Sequence, residues 1–148
     1  MAVRVLVAVP TFDGMEYCED EFFERVGDLS YDSYDVLVVD NSRGEGYAVK
    51  LREKFGVEVV HDDTDEEKSI FRLISSRNKI LDYGVERGYS HVLMLDSDVI
   101  PPRDIVEELL KWDKALVSGL YYGYFNVAGK VQLFPVARVC FSEEEFAE

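Results

Sequence analysis

The residues best suited to chemistry are Asp96 and Asp98, which flank Ser97 at the end of an apolar run over residues 92–95. An apolar run of that length between polar neighbours reads as a buried strand. Two carboxylates spaced i, i+2 just past its end share one short loop, and adjacent anions repel unless a cation joins them. A hard divalent ion with oxygen ligands does this, above all one that also holds substrate phosphates. The pair therefore points to a metal-dependent enzyme acting on a diphosphate-bearing substrate. The blander reading is a solvated loop, because Asp-Ser-Asp is also ordinary turn chemistry.

Arg77 is the second candidate. It falls in the middle of an apolar stripe, at i+4 and i+3 from Leu73 and Ile74 and i−4 from Leu81. An inward guanidinium needs an anionic partner, since an unpaired buried charge is costly. Asp96 and a ligand phosphate both fit, and so does a structural ion pair or a stem that reaches the rim. His61 ends one apolar run and His91 begins another, without the partner spacing of a metal site, so both read as structural or surface residues. Cys18 and Cys140 form neither a disulfide framework nor a metal pattern. Cys18 lies on a helical stripe and reads as an inert core thiol, and a reduced, cytoplasmic setting is the default.

Composition narrows the partners. The chain has 148 residues, 47% hydrophobic and 13% aromatic, enough for one globular domain with a sizeable core. A formal net charge of −14 argues against nucleic acid or an anionic membrane as a general partner. Two acidic runs, at 62–67 and 143–145, read as surface. The apolar stretch 1–10 is short, lacks a cleavage pattern and leads straight into domain sequence. No apolar run reaches membrane-spanning length, and there is no repeat, linker or low-complexity segment.

The elements that must position these residues alternate. Strands are expected at 3–9, 36–39, 57–60, 92–95 and, briefly, 115–118. Met15, Cys18, Phe22, Val26 and Leu29 recur at helical spacing. Tyr47, Leu51 and Phe55 mark a second helix that Gly56 stops. Thr64 and Glu67 have capping-box spacing before a third helix, with Ile70, Leu73, Ile74, Leu81 and Val85 on its inner face and Gly88 at its end. Pro101-Pro102 opens a fourth, with Ile105, Leu109 and Trp112 inward. After Gly119 comes an aromatic run, Tyr121, Tyr122, Tyr124 and Phe125, then antiparallel strands at 131–134 and 136–141. The aromatic faces suit a sugar ring, core or a homo-oligomer interface equally.

This alternation predicts an α/β fold of three layers, with a mostly parallel sheet and a short antiparallel C-terminal addition. Ligands of such sheets bind at the carboxyl ends of the strands, where strand order reverses. With order 3-2-1-4, strands one and four flank that point. Thr11 to Asp13 then lie beside the acid pair, and Asp40 ends the neighbouring strand. With 30 acidic residues, some acids follow strands by chance.

Four segments in order resemble the GT-A fold glycosyltransferases of the family-two type: Val-Ala-Val-Pro-Thr-Phe ending at Phe12, Val-Leu-Val-Val-Asp-Asn-Ser ending at Ser42, Ser76-Arg77-Asn78 with Gly84, and Leu95-Asp96-Ser97-Asp98. The match covers about residues 3–119. The resemblance implies a Rossmann-like nucleotide-sugar domain over 1–148, with its nucleotide-binding core at 1–119 and a partial acceptor-side segment at 120–148. It implies that Pro10, Thr11 and Phe12 line the base pocket, and that Asp40, with Asn41 beside it, meets the base edge. Arg77 supports the nucleotide or the acidic motif. Asp96 faces the ribose or the metal's water shell, and Asp98 binds Mn²⁺ or Mg²⁺ bridging the diphosphate of a UDP or GDP sugar. The ion neutralises charge on the departing diphosphate. In an inverting member a carboxylate removes the acceptor's proton; no such base stands out here, and Glu143, Glu144 and Glu145 are available only as a terminal charge run. Family members are usually longer, so a piece of a longer protein, a minimal form and a donor-binding module without turnover are all expected alternatives. The acceptor is open.

Two rival enzymes share features. A nucleotidyltransferase needs a glycine-rich, arginine-containing loop after its first strand, which the stretch from Val9 to Gly14 is not. A haloacid-dehalogenase-like phosphatase would use Asp96 as nucleophile and Ser118 after a fifth strand, with Lys130 and the terminal glutamates as its remaining groups. No Walker-type or paired-glycine dinucleotide sequence appears.

Overall fold

The computed structural model describes residues 3–120 and 122–135. Expectations for Tyr121, Cys140, the strand at 136–141 and Glu143 to Glu145 lie outside them. The chain divides into two compact units, Met1–Glu108 and Leu109–Glu148.

In the first unit, β1 (Val5–Thr11), β2 (Tyr34–Asp40), β3 (Glu58–His61) and β4 (His91–Met94) form a parallel sheet in the order β3-β2-β1-β4. Every residue of β1 is buried, which is what a near-continuous β-branched run at the centre of a parallel sheet requires. Helices α1 (Glu19–Gly27), α2 (Gly46–Phe55) and α3 (Ser69–Glu86) make the crossovers, and α4 (Ile105–Leu110) follows β4. Right-handed crossovers running β1 to β2 to β3, then back to β4, put α1 and α2 on one face and α3 on the other. α1 and α2 pack together through Phe23 stacked on Phe55, ring centroids 4.3 Å apart. On the α3 face, Leu6, Ala8, Leu37 and Val39 bury against Ile80. Gly56 and Gly88 adopt left-handed conformations and stop α2 and α3 as expected.

The expected strand at 115–118 is absent; that segment is irregular and largely exposed. The phosphatase reading loses the strand meant to carry Ser118. Trp112, expected inward, is exposed. Cys18 precedes α1 rather than lying on its stripe; its thiol donates to the carbonyls of Met15 and Ser97. The capping box is also absent. α3 starts at Ser69, and Thr64 instead bonds Ser75 and the Asp62 carboxylate. Most tellingly, α3 buries the wrong stripe for the expectation: Ser76, Ile80 and Gly84 are buried, while Ile70, Ile74, Leu81 and Val85 are exposed. Small residues mark the packing face because the helix lies close to the sheet. A Cβ on Gly84 would come within 2.9 Å of Val92 Cγ2.

In the second unit, β5 (Tyr122–Val127) and β6 (Lys130–Pro135) pair as an antiparallel hairpin. Ala128 and Gly129 make its turn with positive φ, the geometry of a tight hairpin turn. The aromatic run thus supplies the first strand of the hairpin, with Tyr122 and Tyr124 exposed. Among the described residues no helix is long and apolar enough to cross a membrane.

The choice of face is measurable by urea unfolding. Ile80→Ala should cost about 3 kcal/mol through lost burial and a residual cavity, whereas Val85→Ala, 81% exposed, should change stability by less than about 0.5 kcal/mol. The reverse ranking would mean that the other stripe of α3 faces the sheet.

Candidate functional site

β1 lies between β2 and β4, so its carboxyl end is where strand order reverses. The β1–β4 register runs to Ala8 and Met94, and Leu95 N–H still donates to Ala8 O at 2.9 Å. The next residue of β1 whose N–H points toward β4 is Pro10, which has none. The ladder stops there and the two chains part. Pro10 is itself buried in the strand, paired in register with Val39, so it forms the floor of the site rather than its open wall.

The freed chain after Leu95 turns at once. Val99 N–H donates to Asp96 O at 3.0 Å, closing a turn over Asp96 to Val99. Its middle is pinned from inside. Ser97 is buried, its Oγ hydrogen-bonded to Thr11 Oγ1 at 3.3 Å, and its carbonyl accepts the Cys18 thiol. With Ser97 turned in, Asp96 is part-exposed and Asp98 exposed. Arg77 Nη2 donates to Asp96 Oδ1 at 2.9 Å, while its Nε is buried without a partner. Both side chains of this pair are more than 40% exposed, so it adds little stability and acts mainly to orient Asp96.

Among the described residues, no group of three or more His, Cys, Asp or Glu side chains is placed to hold a metal. Two adjacent carboxylates are the available donors. That set is too small for a resident structural ion. It fits a six-coordinate divalent ion that takes its other ligands from phosphate oxygens and water.

The other side of the site is built on Asp40. It is fully buried at the end of β2, and both of its oxygens are engaged: Oδ1 accepts from the backbone and hydroxyl of Ser42, and Oδ2 is 3.1 Å from His61 Nδ1. Ser42 Oγ in turn accepts the Asp13 N–H at 2.8 Å, fixing the single 3-10 turn, Asp13–Met15, that follows Phe12. Phe12 is 44% exposed. Asn41 N–H donates to Thr11 O at 2.9 Å, and its side-chain amide donates to Asp62 O at 2.8 Å. Thr11 is therefore the crossing point, tied by its carbonyl to the β2 loop and by its hydroxyl to the acid turn. Arg77 and Asp96 meet directly, and Asp40 acts on the site from behind through Ser42.

Two buried carboxylates escaped the sequence reading. Asp62, expected in a solvated run, is fully buried. It accepts from Thr64 N–H, Ser75 Oγ and Ser76 Oγ, with Lys79 Nζ at 3.6 Å. The available signal was its place just after β3, where Asp40 and Asp96 sit on their own strands. Glu19, in the first turn of α1, is buried and bound by Lys50 at 2.9 Å, Lys54 at 2.8 Å and the Tyr47 hydroxyl at 3.1 Å. Burial together with Glu19 raises the Tyr47 pKa far above the usual phenol value. The i, i+4 spacing of Lys50 and Lys54 was the sequence signal for a shared anion.

No family model and no curated protein matches the chain. Solved structures do. A mannosyltransferase, PcManGT from Pyrobaculum calidifontis, in complex with GDP-Man and Mn²⁺, matches over 76% of this chain and 32% of its own, with 20% identity and a TM-score of 0.53. S. aureus TarS in complex with UDP matches over 74% of this chain and 32% of its own, with 20% identity and a TM-score of 0.52. A longer TarS structure gives 18% identity and a TM-score of 0.50, with 74% of this chain and 19% of that one covered. The chain thus spans no more than about a third of these structures. The GT-A-like, Rossmann-like α/β fold expected from the four segments is the fold it has.

Burial raises the pKa of Asp62, but the hydrogen bonds from Thr64, Ser76 and Ser75 outweigh it, and the carboxyl sits below its ordinary 3.8. Burial likewise raises Glu19, and Lys54, Lys50 and Tyr47 bring it below its ordinary 4.5. A folded-state pKa that is depressed stabilises the fold above the unfolded value and is lost as pH falls through the folded one. The urea midpoint should therefore drop steadily below about pH 4.5. Asp62→Asn should cost about 2 kcal/mol at neutral pH and flatten that drop. Parallel declines in both proteins would assign the acid sensitivity elsewhere.

Proposed function

We propose that this chain is the donor-binding part of a metal-dependent glycosyltransferase, taking a UDP- or GDP-type sugar. The observation that carries this is the hydrogen bond between Thr11 and Ser97, which joins the end of β1 to the acid turn and makes one site of them. On one side stands an exposed aromatic ring, Phe12, suited to a base. On the other, Asp96 and Asp98 offer carboxylate oxygens. In this reading the diphosphate runs from the ring to the carboxylates.

In this reading Asp98, exposed, and Asp96 hold Mn²⁺ or Mg²⁺ against the diphosphate. The bound ion neutralises charge on the leaving group. Arg77 keeps Asp96 in place through Nη2. Thr11 and Asn41 shape the wall by the base. Asp40 holds that wall, its own oxygens being occupied, and would reach a base only if His61 released one. Transfer replaces the bond from the anomeric carbon to the diphosphate oxygen with one to an acceptor oxygen. The solved structures of similar fold, one with GDP-Man and Mn²⁺ and one with UDP, support this donor class.

Calorimetric titration with UDP and GDP, with and without Mn²⁺, tests the proposal. One nucleotide should bind only with the metal, and Asp98→Ala should weaken it about tenfold or more. Failure of the folded protein to bind either, or binding indifferent to Asp98→Ala, would contradict it.

A further inference from the structure

Gly14 has no backbone reason to be glycine. It is not among the residues with positive φ. It lies in the 3-10 turn Asp13–Met15, which alanine would also adopt. It is exposed, so no core presses on it. What it lacks room for is the Phe12 ring. A Cβ at position 14 would lie 2.3 Å from Phe12 Cε2, 2.8 Å from Cζ and 3.1 Å from Cδ2, and these are its three nearest neighbours. The ring lies against the bare backbone of Gly14 on one side and stays 44% exposed.

The turn that brings the two together is fixed at both ends. Met15 N–H donates to Phe12 O at 2.9 Å, and Asp13 N–H donates to Ser42 Oγ, which Asp40 holds. Because the backbone is held and the clash is with the far end of a side chain, an added methyl would displace the ring and leave the loop in place.

We propose that Gly14 is a positioning residue: its missing side chain leaves room for the Phe12 ring against the loop, where the exposed part of the ring stacks on the base of the donor nucleotide. The proposal rests on the reading of this site as a nucleotide pocket. Aromatic stacking on a base is sensitive to ring position, since the favourable offset geometry is lost once the ring tilts or lifts. A buried glycine of ordinary structural use would act through stability. This one acts on binding alone.

A double-mutant cycle with UDP and GDP in the presence of Mn²⁺ tests it, reading affinity by calorimetry and stability by thermal melting. Phe12→Ala should weaken the preferred nucleotide about tenfold. Gly14→Ala should weaken it by nearly as much, while its melting temperature stays the same or rises, since alanine in a compatible conformation restricts the unfolded chain. In the Phe12→Ala background, Gly14→Ala should have no further effect. In the unliganded wild type, the Gly14 α-protons should show a ring-current shift that Phe12→Ala abolishes. Wild-type affinity in Gly14→Ala, an equal loss in both backgrounds, or no ring-current shift would overturn the role of Gly14 while leaving the pocket. Wild-type affinity in Phe12→Ala, or no nucleotide binding by the wild type, would overturn the pocket and this role with it.

Discussion

The site exists because the β1–β4 ladder cannot pass Pro10. A parallel pair continues as long as each strand supplies its N–H groups. At Pro10 the donor is missing, and the chain after Leu95 leaves the sheet while β1 goes on with β2 as far as Thr11. The candidate site lies where the two part. Everything lining it is placed by what the parted chains then bond to. Thr11 reaches across to Ser97, Ser97 turns inward, and the two flanking aspartates are left facing out.

Acids at the carboxyl ends of these strands have two fates. Asp40 and Asp62 are fully buried, and each is surrounded by hydroxyl and backbone donors that offset the cost of removing a charge from water. They are structural knots. Asp40 fixes the turn after Phe12, and Asp62 ties β3 to α3 at Ser75 and Ser76, about one turn before Ile80. Asp96 is left part-exposed and Asp98 exposed, with Arg77 against the first. A carboxylate whose oxygens are already filled has nothing left for a ligand, whereas an exposed neighbouring pair does. The contrast between these two fates, rather than the abundance of acid, separates site from scaffold in a chain with 30 acidic residues.

Much of this was legible in the residues. Strand order followed from β-branched runs alternating with helical stripes, and the reversal point followed from the order. Arg77 drew notice as a charge lodged in an apolar stripe, but that stripe faces outward, and Arg77 meets Asp96 in a half-exposed pair rather than as an inward guanidinium. The face of α3 did not follow, because counting large apolar residues selects Ile70, Ile74, Leu81 and Val85, whereas close helix–sheet packing selects small ones, Ser76 and Gly84, around Ile80. Asp62 was hidden by its neighbours in an acidic run. Its burial depends on hydroxyls that arrive from α3, thirteen and fourteen residues on. The strand expected at 115–118 had apolar residues but no partner in the sheet, and propensity without a partner does not make a strand.

The central claim is that the acid turn and the loop after β1 form one nucleotide–metal site. Paramagnetic broadening by Mn²⁺ in nitrogen–proton correlation spectra tests it most directly. With UDP or GDP present, broadening should centre on Asp96 to Val99 and reach Arg77, with shifts at Thr11 to Gly14. Broadening centred on the exposed acids from Asp63 to Glu67, or shifts that leave the β1 loop untouched, would contradict it.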